Sequence, residues 1–255
     1  DHGKVKMFVD AGVETNIIIV KKINRQNPQV KIVLTEESNK TFETNQSNFS
    51  EAGYLFLDNR LLKLKEKIDT LGKVLSKWDV DINSGLKTGF NDAFIINKEK
   101  YDELVRKDRK NKDIIVPILR GRDIGRYNIN FSNLYLINTH NGYKLNDEKI
   151  PEIRIDDYPS IKEYLNEFEP ALSKRGDKGK TPYNLRNCAY LKDFSKEKIM
   201  YAEIAPVASF YYDKKGFFTN DTGFIMVGDK LKYLLVMLNS KFIEFAFEAY
   251  YVGQK

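Results

Sequence analysis

The sequence has few of the residues from which many sites and scaffolds are built. It contains one cysteine, Cys188, and two histidines, His2 and His140, among 255 residues. A single cysteine excludes an intramolecular disulfide and a cysteine-rich zinc site, and two histidines leave little for a histidine-based triad or a catalytic zinc site. Because no signal peptide is recognisable either, we predict a reducing, cytoplasmic location.

Long apolar runs and phosphate-binding motifs are also missing. No apolar run approaches the roughly 20 residues that a membrane-spanning helix needs, so no membrane partner is expected. The sequence contains neither the GxxxxGK(S/T) loop nor the GxGxxG fingerprint with which many proteins hold nucleotide phosphates. Without a visible catalytic set, the chain is more typical of a binding module.

The composition that remains is basic and aromatic. Hydrophobic residues make up 42% of the chain, aromatic residues make up 13%, and 42 Lys and Arg exceed 36 Asp and Glu to give a net charge of +6. A chain of this length can bury a substantial core and suits one or two domains.

The positive charge is concentrated in two segments. Residues 105–130 and residues 170–200 each contain eight Lys or Arg against three Asp or Glu, a local excess of five charges. Because the two excesses together exceed the net charge of the whole chain, the remainder is acidic. Basic residues grouped in this way offer a footprint for a polyanion, although a solvated surface is the alternative.

The periodicity predicts an α+β fold with mixed or antiparallel sheets and packed helices. Helices and strands alternate without the regular period of a parallel βαβ fold. Leu and Ile recur at helical spacing in residues 58–78, which predicts an amphipathic, core-facing helix. Further helices are expected at 159–172 and 230–250, and the Lys-Lys-Gly centre of residues 211–218 predicts a β-hairpin.

The first 50 residues predict the end of another domain. β-Branched runs at 13–22 and 29–34 predict two paired strands, and the polar residues 35–50 predict a loop or linker. Because a two-stranded ribbon is marginal by itself, these strands are expected to belong to a larger sheet. The predicted domains are therefore residues 1–50, terminal strands of a truncated domain with a linker, and residues 51–255.

Residues 120–127, Arg-Gly-Arg-Asp-Ile-Gly-Arg-Tyr, place charged side chains between glycines. Glycine permits a close approach to a ligand, and arginine makes bidentate hydrogen bonds to guanine or to phosphate. Asp123 could accept a hydrogen bond from cytosine or fix the orientation of an arginine. The segment predicts a nucleic-acid contact, with a structural Arg–Asp network at a strand end as the alternative.

Two further loops carry candidate contacts. Residues 85–91 could place Lys87, Thr88 and Asn91 at a DNA groove, and the alternative is a turn without a partner. Residues 174–186 begin with a basic, flexible stretch that is suited to contacts with phosphates. The residues that follow it are suited to stacking and hydrogen bonding. The alternative is a solvated loop. The predicted DNA-contacting residues are Lys87, Thr88, Asn91, Arg120, Arg122, Asp123, Arg126, Tyr127, Lys174, Arg175, Lys178, Lys180, Tyr183 and Arg186.

The order of these segments resembles the TaqI-like C-terminal specificity domain. The resemblance runs from about residue 60 to residue 245. It rests on residues 85–96, on residues 117–127, and on the Tyr-Asn-Leu-Arg stretch at 183–186. Domains of this family are the target-recognition parts of adenine-N6 DNA methyltransferases and of fused type IIG restriction–modification enzymes.

The resemblance implies that the chain works beside a catalytic domain. The chain would read double-stranded DNA and position a target adenine for N6 methylation by a methyltransferase domain of the same polypeptide, whose cofactor is S-adenosylmethionine. Residues 1–50 resemble the last strands of such a domain. The catalytic Asn/Asp-Pro-Pro-Tyr motif, the cofactor loop and any nuclease motif are absent from the sequence. We therefore expect no catalytic residue, metal or cofactor on this chain, and neither methylation nor cleavage by it alone.

Two other functions stay open. The chain could be an accessory protein-interaction module, or a small complete enzyme that transfers a methyl group by itself. The interface of the accessory module would comprise the 58–78 helix and the apolar residues Phe242, Phe245, Phe247, Tyr250 and Tyr251.

Overall fold

The computed structural model describes residues 17–22, 28–34, 40–50, 53–54, 57–145 and 148–247. The strands within these residues are β1 (Gln29–Leu34), β2 (Lys40–Asn45), β3 (Phe49–Ser50), β4 (Gly53–Tyr54), β5 (Val80–Ser84), β6 (Ile95–Asn97), β7 (Ile115–Leu119), β8 (Leu134–Ile137), β9 (Tyr143–Leu145), β10 (Glu148–Ile150), β11 (Lys198–Ala202), β12 (Phe210–Asp213), β13 (Phe218–Thr219) and β14 (Gly223–Gly228). The α-helices are α1 (Asn59–Leu71), α2 (Asn91–Phe94), α3 (Lys98–Lys107), α4 (Pro159–Asn166), α5 (Ala171–Lys174), α6 (Leu231–Leu238) and α7 (Lys241–Phe247). Every helix in this part of the chain is too short or too polar to cross a membrane.

Contacts within the chain divide it into two compact units, Leu75–Ser240 and Asp1–Val74 with Lys241–Lys255. The first of these, the larger unit, contains two four-stranded sheets. One has the order β12-β11-β14-β5 and is antiparallel throughout. The other has the order β13-β7-β8-β6, with a parallel β13–β7 pair and antiparallel pairs elsewhere. The predicted α+β class is confirmed, and the predicted boundary near residue 50 remains a prediction.

The hydrophobic core of the larger unit draws on both sheets and on helices α2, α3 and α4. Phe94, Leu104 and Ile161 project from these helices and are fully buried. Phe194 stacks on Phe218 of β13, with 4.7 Å between the ring centroids. Burying a side chain of this size contributes about 1.5–3 kcal/mol, so the loops that leave this core start from fixed positions.

A buried ion pair joins the edge strand β12 to its neighbour β11 in the first sheet. Lys198 in β11 lies opposite Asp213 in β12, and both side chains are completely buried. The Asp213 carboxylate also accepts hydrogen bonds from the backbone N–H groups of Lys215 and Phe217, each at 2.9 Å. These bonds shape the turn that carries the chain from the first sheet to the second.

That turn explains why the predicted hairpin at 211–218 is wrong. Strand β12 pairs with β11, whereas β13 pairs with β7 in the other sheet. The Lys-Lys-Gly turn is present, but Asp213 bends the chain after β12, and Phe218 packs on Phe194. The two arms therefore belong to different sheets.

Helix α1 is shorter than the predicted 58–78 helix. Asp58 begins it by accepting hydrogen bonds from the backbone N–H groups of Arg60 and Leu61, which is the usual capping role of aspartate. The helix ends at Leu71, because Gly72 is extended. Its apolar face is only half-buried, and Leu71 is 73% exposed.

The predicted pairing of 13–22 with 29–34 is wrong where it can be compared. Residues 13–16 lie outside the described residues, and residues 17–22 form no strand and are exposed. Strand β1 pairs instead with β2, inside the predicted linker, in a register that places Ile32 opposite Phe42. The β-branched Thr41 and Thr44 and the aromatic Phe42 favour a strand at this position, and Ile32 is buried there.

The predicted helices at 159–172 and 230–250 are both interrupted. Helices α4 and α5 are separated by residues 167–170, and α6 and α7 are separated at Asn239. The Asn239 side chain accepts from the Phe210 N–H at 3.0 Å and donates to the Phe210 carbonyl at 2.9 Å. This buried pairing with β12 explains why α6 ends there. Residues 248–250 lie outside the described residues.

Candidate nucleic-acid interface

Residues 219–223, which lead from β13 into β14, anchor two of the predicted loops. The Leu86 N–H donates to the carbonyl of Thr219 at 2.8 Å. The Gly121 N–H donates to Thr222 Oγ1, also at 2.8 Å, where a Cβ on Gly121 would lie 2.2 Å from the Thr222 carbonyl oxygen. The 85–91 loop and the 120–127 loop therefore start from one turn of the chain.

The 85–91 loop is shaped by its threonine. Thr88 is buried, its Oγ1 donates to Asn91 Oδ1 at 2.6 Å, and the same oxygen accepts from the Phe90 N–H at 3.0 Å. Lys87 and Asn91 are exposed. Thr88 thus sets the conformation of the loop, whereas Lys87 and Asn91 are its accessible polar side chains.

Arg120 and Asp123 form a network at the end of β7. Arg120 Nε and Nη2 donate to the two carboxylate oxygens at 2.9 and 2.8 Å, and Ser132 Oγ donates to the same carboxylate at 2.9 Å. Asp123 is 4% exposed and Arg120 27%. Burial alone would raise the pKa of Asp123, but the hydrogen bonds from Arg120 and Ser132 hold it below its usual value.

This network is the structural Arg–Asp alternative at the end of a strand. Asp123 fixes an arginine, the second of its two expected roles, and its burial keeps it from a base edge. Arg120 keeps partial exposure, with both Nε and Nη2 engaged.

The other polar side chains of the 120–127 loop differ in exposure. Arg122 is exposed, and its side chain has no hydrogen bond or ion pair within the described residues. Arg126 is half-buried and donates to the carbonyl of Ala208 at 3.4 Å. Tyr127 is 52% exposed, has a left-handed backbone with φ of 62°, and its N–H donates to the Phe210 carbonyl at 3.0 Å. Arg122 and Tyr127 are therefore the most accessible side chains of this loop.

Arg175 lies inside the protein, although it was expected to contact DNA. Its side chain is 6% exposed, and its guanidinium lies 4.5 Å from the centre of the Phe94 ring. The guanidinium donates to the backbone carbonyls of Thr88, Asp177, Pro182 and Asn184. Burial lowers its pKa to about 10. These carbonyls belong to the 85–91 loop and to the basic loop of residues 173–187, which contains the predicted 174–186 stretch. Arg175 therefore holds the two loops together and is not available to a phosphate.

Four other cations of the 173–187 loop are exposed: Lys174, Lys178, Lys180 and Arg186. Lys178 Nζ donates to the Ser173 carbonyl at 2.6 Å. Lys180 pairs with Glu152, and Arg186 pairs with Asp177 at 2.9 Å. Such exposed pairs contribute little energy and exchange readily for another anion.

The Tyr-Asn-Leu-Arg stretch also serves the fold. The Tyr183 hydroxyl donates to Asn166 Oδ1 at 2.6 Å, and Tyr183 is half-buried. Asn184 is 1% exposed; its Nδ2 donates to the Ile153 carbonyl at 2.9 Å. The asparagine therefore builds the loop, whereas Arg186 faces solvent.

Sequence reasoning missed the residues that position these loops. Thr222 and Ser132 carry no recognisable signal, because each acts through a partner in another segment of the chain. Thr222, for example, lies 101 residues from Gly121. The described residues also contain no group of His, Cys, Asp or Glu placed to hold a metal ion.

A model of the TaqI-like C-terminal specificity domain matches residues 116–255 of this sequence. The chain belongs to this family. The predicted resemblance to this family is thus confirmed. The matched residues include both the 120–127 and the 173–187 loops, whereas residues 85–96, on which the resemblance also rested, precede the match.

Two solved structures are similar to this specificity domain. One is the type IIL restriction–modification enzyme MmeI in complex with DNA, with 9% identity and a TM-score of 0.46 over 85% of this chain and 27% of that chain. The other is the type IIG restriction endonuclease BpuSI, with 16% identity and a TM-score of 0.49 over 82% of this chain and 26% of that chain. The chain thus spans about a quarter of each. No curated protein matches it.

Proposed function

We propose that this chain recognises a specific double-stranded DNA sequence for a restriction–modification enzyme. The proposal rests on one observation: three loops that carry exposed cations are all attached to one core. Arg175 fixes the 85–91 loop to the 173–187 loop, and the 219–223 turn fixes the 85–91 loop to the 120–127 loop. Membership of the specificity-domain family supports it.

The proposed roles follow from exposure. Lys174, Lys178, Lys180 and Arg186 would contact phosphates, which supply affinity and salt dependence without reading sequence. Arg122 and Asn91 are exposed and would read base edges, because arginine pairs bidentately with guanine and asparagine with adenine. Arg120, oriented by Asp123, would contribute through its remaining exposed edge.

We further propose that the recognised duplex is passed to a methyltransferase domain of the same polypeptide. That domain would flip a target adenine out of the stack, which costs a few kcal/mol, and would methylate N6. Tight docking by this chain would offset part of that cost. We assign S-adenosylmethionine to the other domain, because the exposed groups of these loops are cationic and suit phosphates rather than a positively charged sulfonium.

A selection from a randomised duplex library at two salt concentrations tests the proposal. We expect one sequence to be enriched, with an affinity that falls steeply as salt rises. Arg122→Ala should lower the specific affinity about ten- to a hundredfold and relax the preference at one or two base pairs. Lys174→Ala should weaken binding to every sequence and reduce the salt slope by about one.

Lys98→Ala is the matched control, since it removes one exposed cation from α3, where Lys98 pairs with Asp102. It should change neither affinity nor preference. Equal binding to all sequences would reject base reading, and affinity independent of salt would reject the phosphate contacts.

The accessory-module alternative keeps one supporting observation. Leu71, Val74 and Phe242 are 73%, 58% and 43% exposed, so apolar surface is available near the predicted interface; Tyr250 and Tyr251 lie outside the described residues. If that function is right, Arg122→Ala will leave every binding activity of the chain unchanged.

A further inference from the structure

The loop between β11 and β12 presents an apolar tip. Its residues 203–207 read Glu-Ile-Ala-Pro-Val and include no Lys or Arg. Ile204 is 88% exposed and Val207 is 45% exposed, and Pro206 between them is exposed as well. Single exposed apolar residues are ordinary on a protein surface, but a projecting loop that groups three of them is typical of a contact surface.

Both ends of the 203–207 loop are attached to the 120–127 loop or to its anchor. On the incoming side, the Glu203 N–H donates to the carbonyl of Thr222 at 2.9 Å, and Thr222 is the residue that holds Gly121. On the outgoing side, Arg126 donates to the Ala208 carbonyl. The apolar tip therefore lies beside the loop to which we assign base reading.

The base of the tip is also rigid. Tyr201 packs on Phe210 and on Phe224, with ring centroids 5.3 and 5.4 Å away, and Ala208 is buried. Proline fixes its own backbone φ. A tip that is already ordered loses little conformational entropy when it binds, so less of its contact energy is offset by ordering.

We propose that the 203–207 loop inserts Ile204, with Pro206 and Val207 behind it, between stacked base pairs next to the site read by the 120–127 loop. This inference rests on the proposed function. The loop has no cation and carries Glu203, so the phosphate backbone does not attract it, whereas the faces of the bases are apolar. Isoleucine and proline are among the side chains that wedge between base steps and kink a duplex.

The test uses the full chain and the duplex enriched from the library. A series of duplexes carries one abasic position, moved step by step through the recognised sequence and its flanks. A wedge gains affinity when its step is already unstacked, so we expect one position to tighten binding by the unaltered chain at least about tenfold.

The double variant Ile204→Ala, Val207→Ala should reduce that gain to less than about twofold. Its salt slope should stay the same, because no phosphate contact is lost. Val236→Ala is the matched control, since Val236 on α6 is 59% exposed and its truncation should leave the gain intact. An unchanged unfolding temperature shows that both variants are folded.

The wedge alone is overturned if the gain survives in the double variant. It is also overturned if the chain prefers one sequence but no abasic position tightens binding. In that case the tip would belong to a protein contact. If the library yields no enriched sequence, an abasic gain on an unselected duplex would reject base reading and keep the wedge. Absence of binding to every duplex would reject both.

Discussion

Replacing Arg175 by alanine removes a cation that the fold itself uses. Its guanidinium donates to four backbone carbonyls and stacks on Phe94, with only 6% of the residue exposed. Each buried carbonyl left without a donor costs about 1–3 kcal/mol. Some of these carbonyls will gain water in the cavity, so the sum is an upper bound. We expect a loss of about 3–5 kcal/mol in the free energy of unfolding, at the upper end for a single substitution.

Urea unfolding with fluorescence detection measures this loss as a lower midpoint at an unchanged slope. The unfolding temperature should fall by on the order of 10 °C. Arg186→Ala is the control, because Arg186 lies in the same loop but is 50% exposed in its pair with Asp177; an exposed pair of this kind contributes about 0–1 kcal/mol. Arg175→Lys should lie between the two, since one ammonium cannot reach four carbonyls.

The opposite ranking would refute the reasoning. If Arg175→Ala unfolds within about 1 kcal/mol of the unaltered protein and its DNA-binding salt slope falls by about one, the guanidinium contacts a phosphate and does not hold the loops together. If Arg175 acts by positioning the two loops, the Arg175→Lys variant will keep the salt slope of the unaltered chain and will lose its sequence preference.

Three further outcomes are expected. Lys198→Met should lower the free energy of unfolding, measured in urea, by about 3–5 kcal/mol, because it leaves Asp213 charged and buried. Adding Asp213→Asn should recover part of the loss. Full stability of the single variant would show that the pair is dispensable. Gly89→Ala should lower the free energy of unfolding by about 1–3 kcal/mol, since Gly89 has φ of +67° and a Cβ would lie 2.7 Å from the Asp177 carbonyl oxygen. The control Gly176→Ala should be neutral, because a Cβ there meets nothing within 4 Å. Equal effects of the two substitutions would contradict the close approach at Gly89. The pKa of Asp123 lies below its usual 3.8, so the stability that Asp123 contributes is fully present above about pH 4 and is lost as pH falls through the lowered pKa. In a pH series of thermal unfolding, Asp123→Asn should therefore reduce the fall of the unfolding temperature at acid pH. An unchanged fall would assign it to other carboxylates.

The sequence alone determined the family, the α+β class and the segments that carry accessible charge. Those properties are local: glycine and arginine spacing in 120–127, β-branched runs, and the clustering of basic residues can all be read along the chain. Lys87, Arg122 and Lys174 were predicted from such patterns and are exposed.

Only the tertiary structure decided which cations face outward and which strands pair. Arg175 and Arg186 are both arginines of one basic loop, yet one is enclosed by four carbonyls and the other faces solvent. The arms of the expected hairpin separated because Asp213 is paired with Lys198 and Phe218 packs on Phe194. Packing between separate segments, up to 87 residues apart for Arg175 and Thr88, selects the partners of these side chains, and no local pattern records that choice.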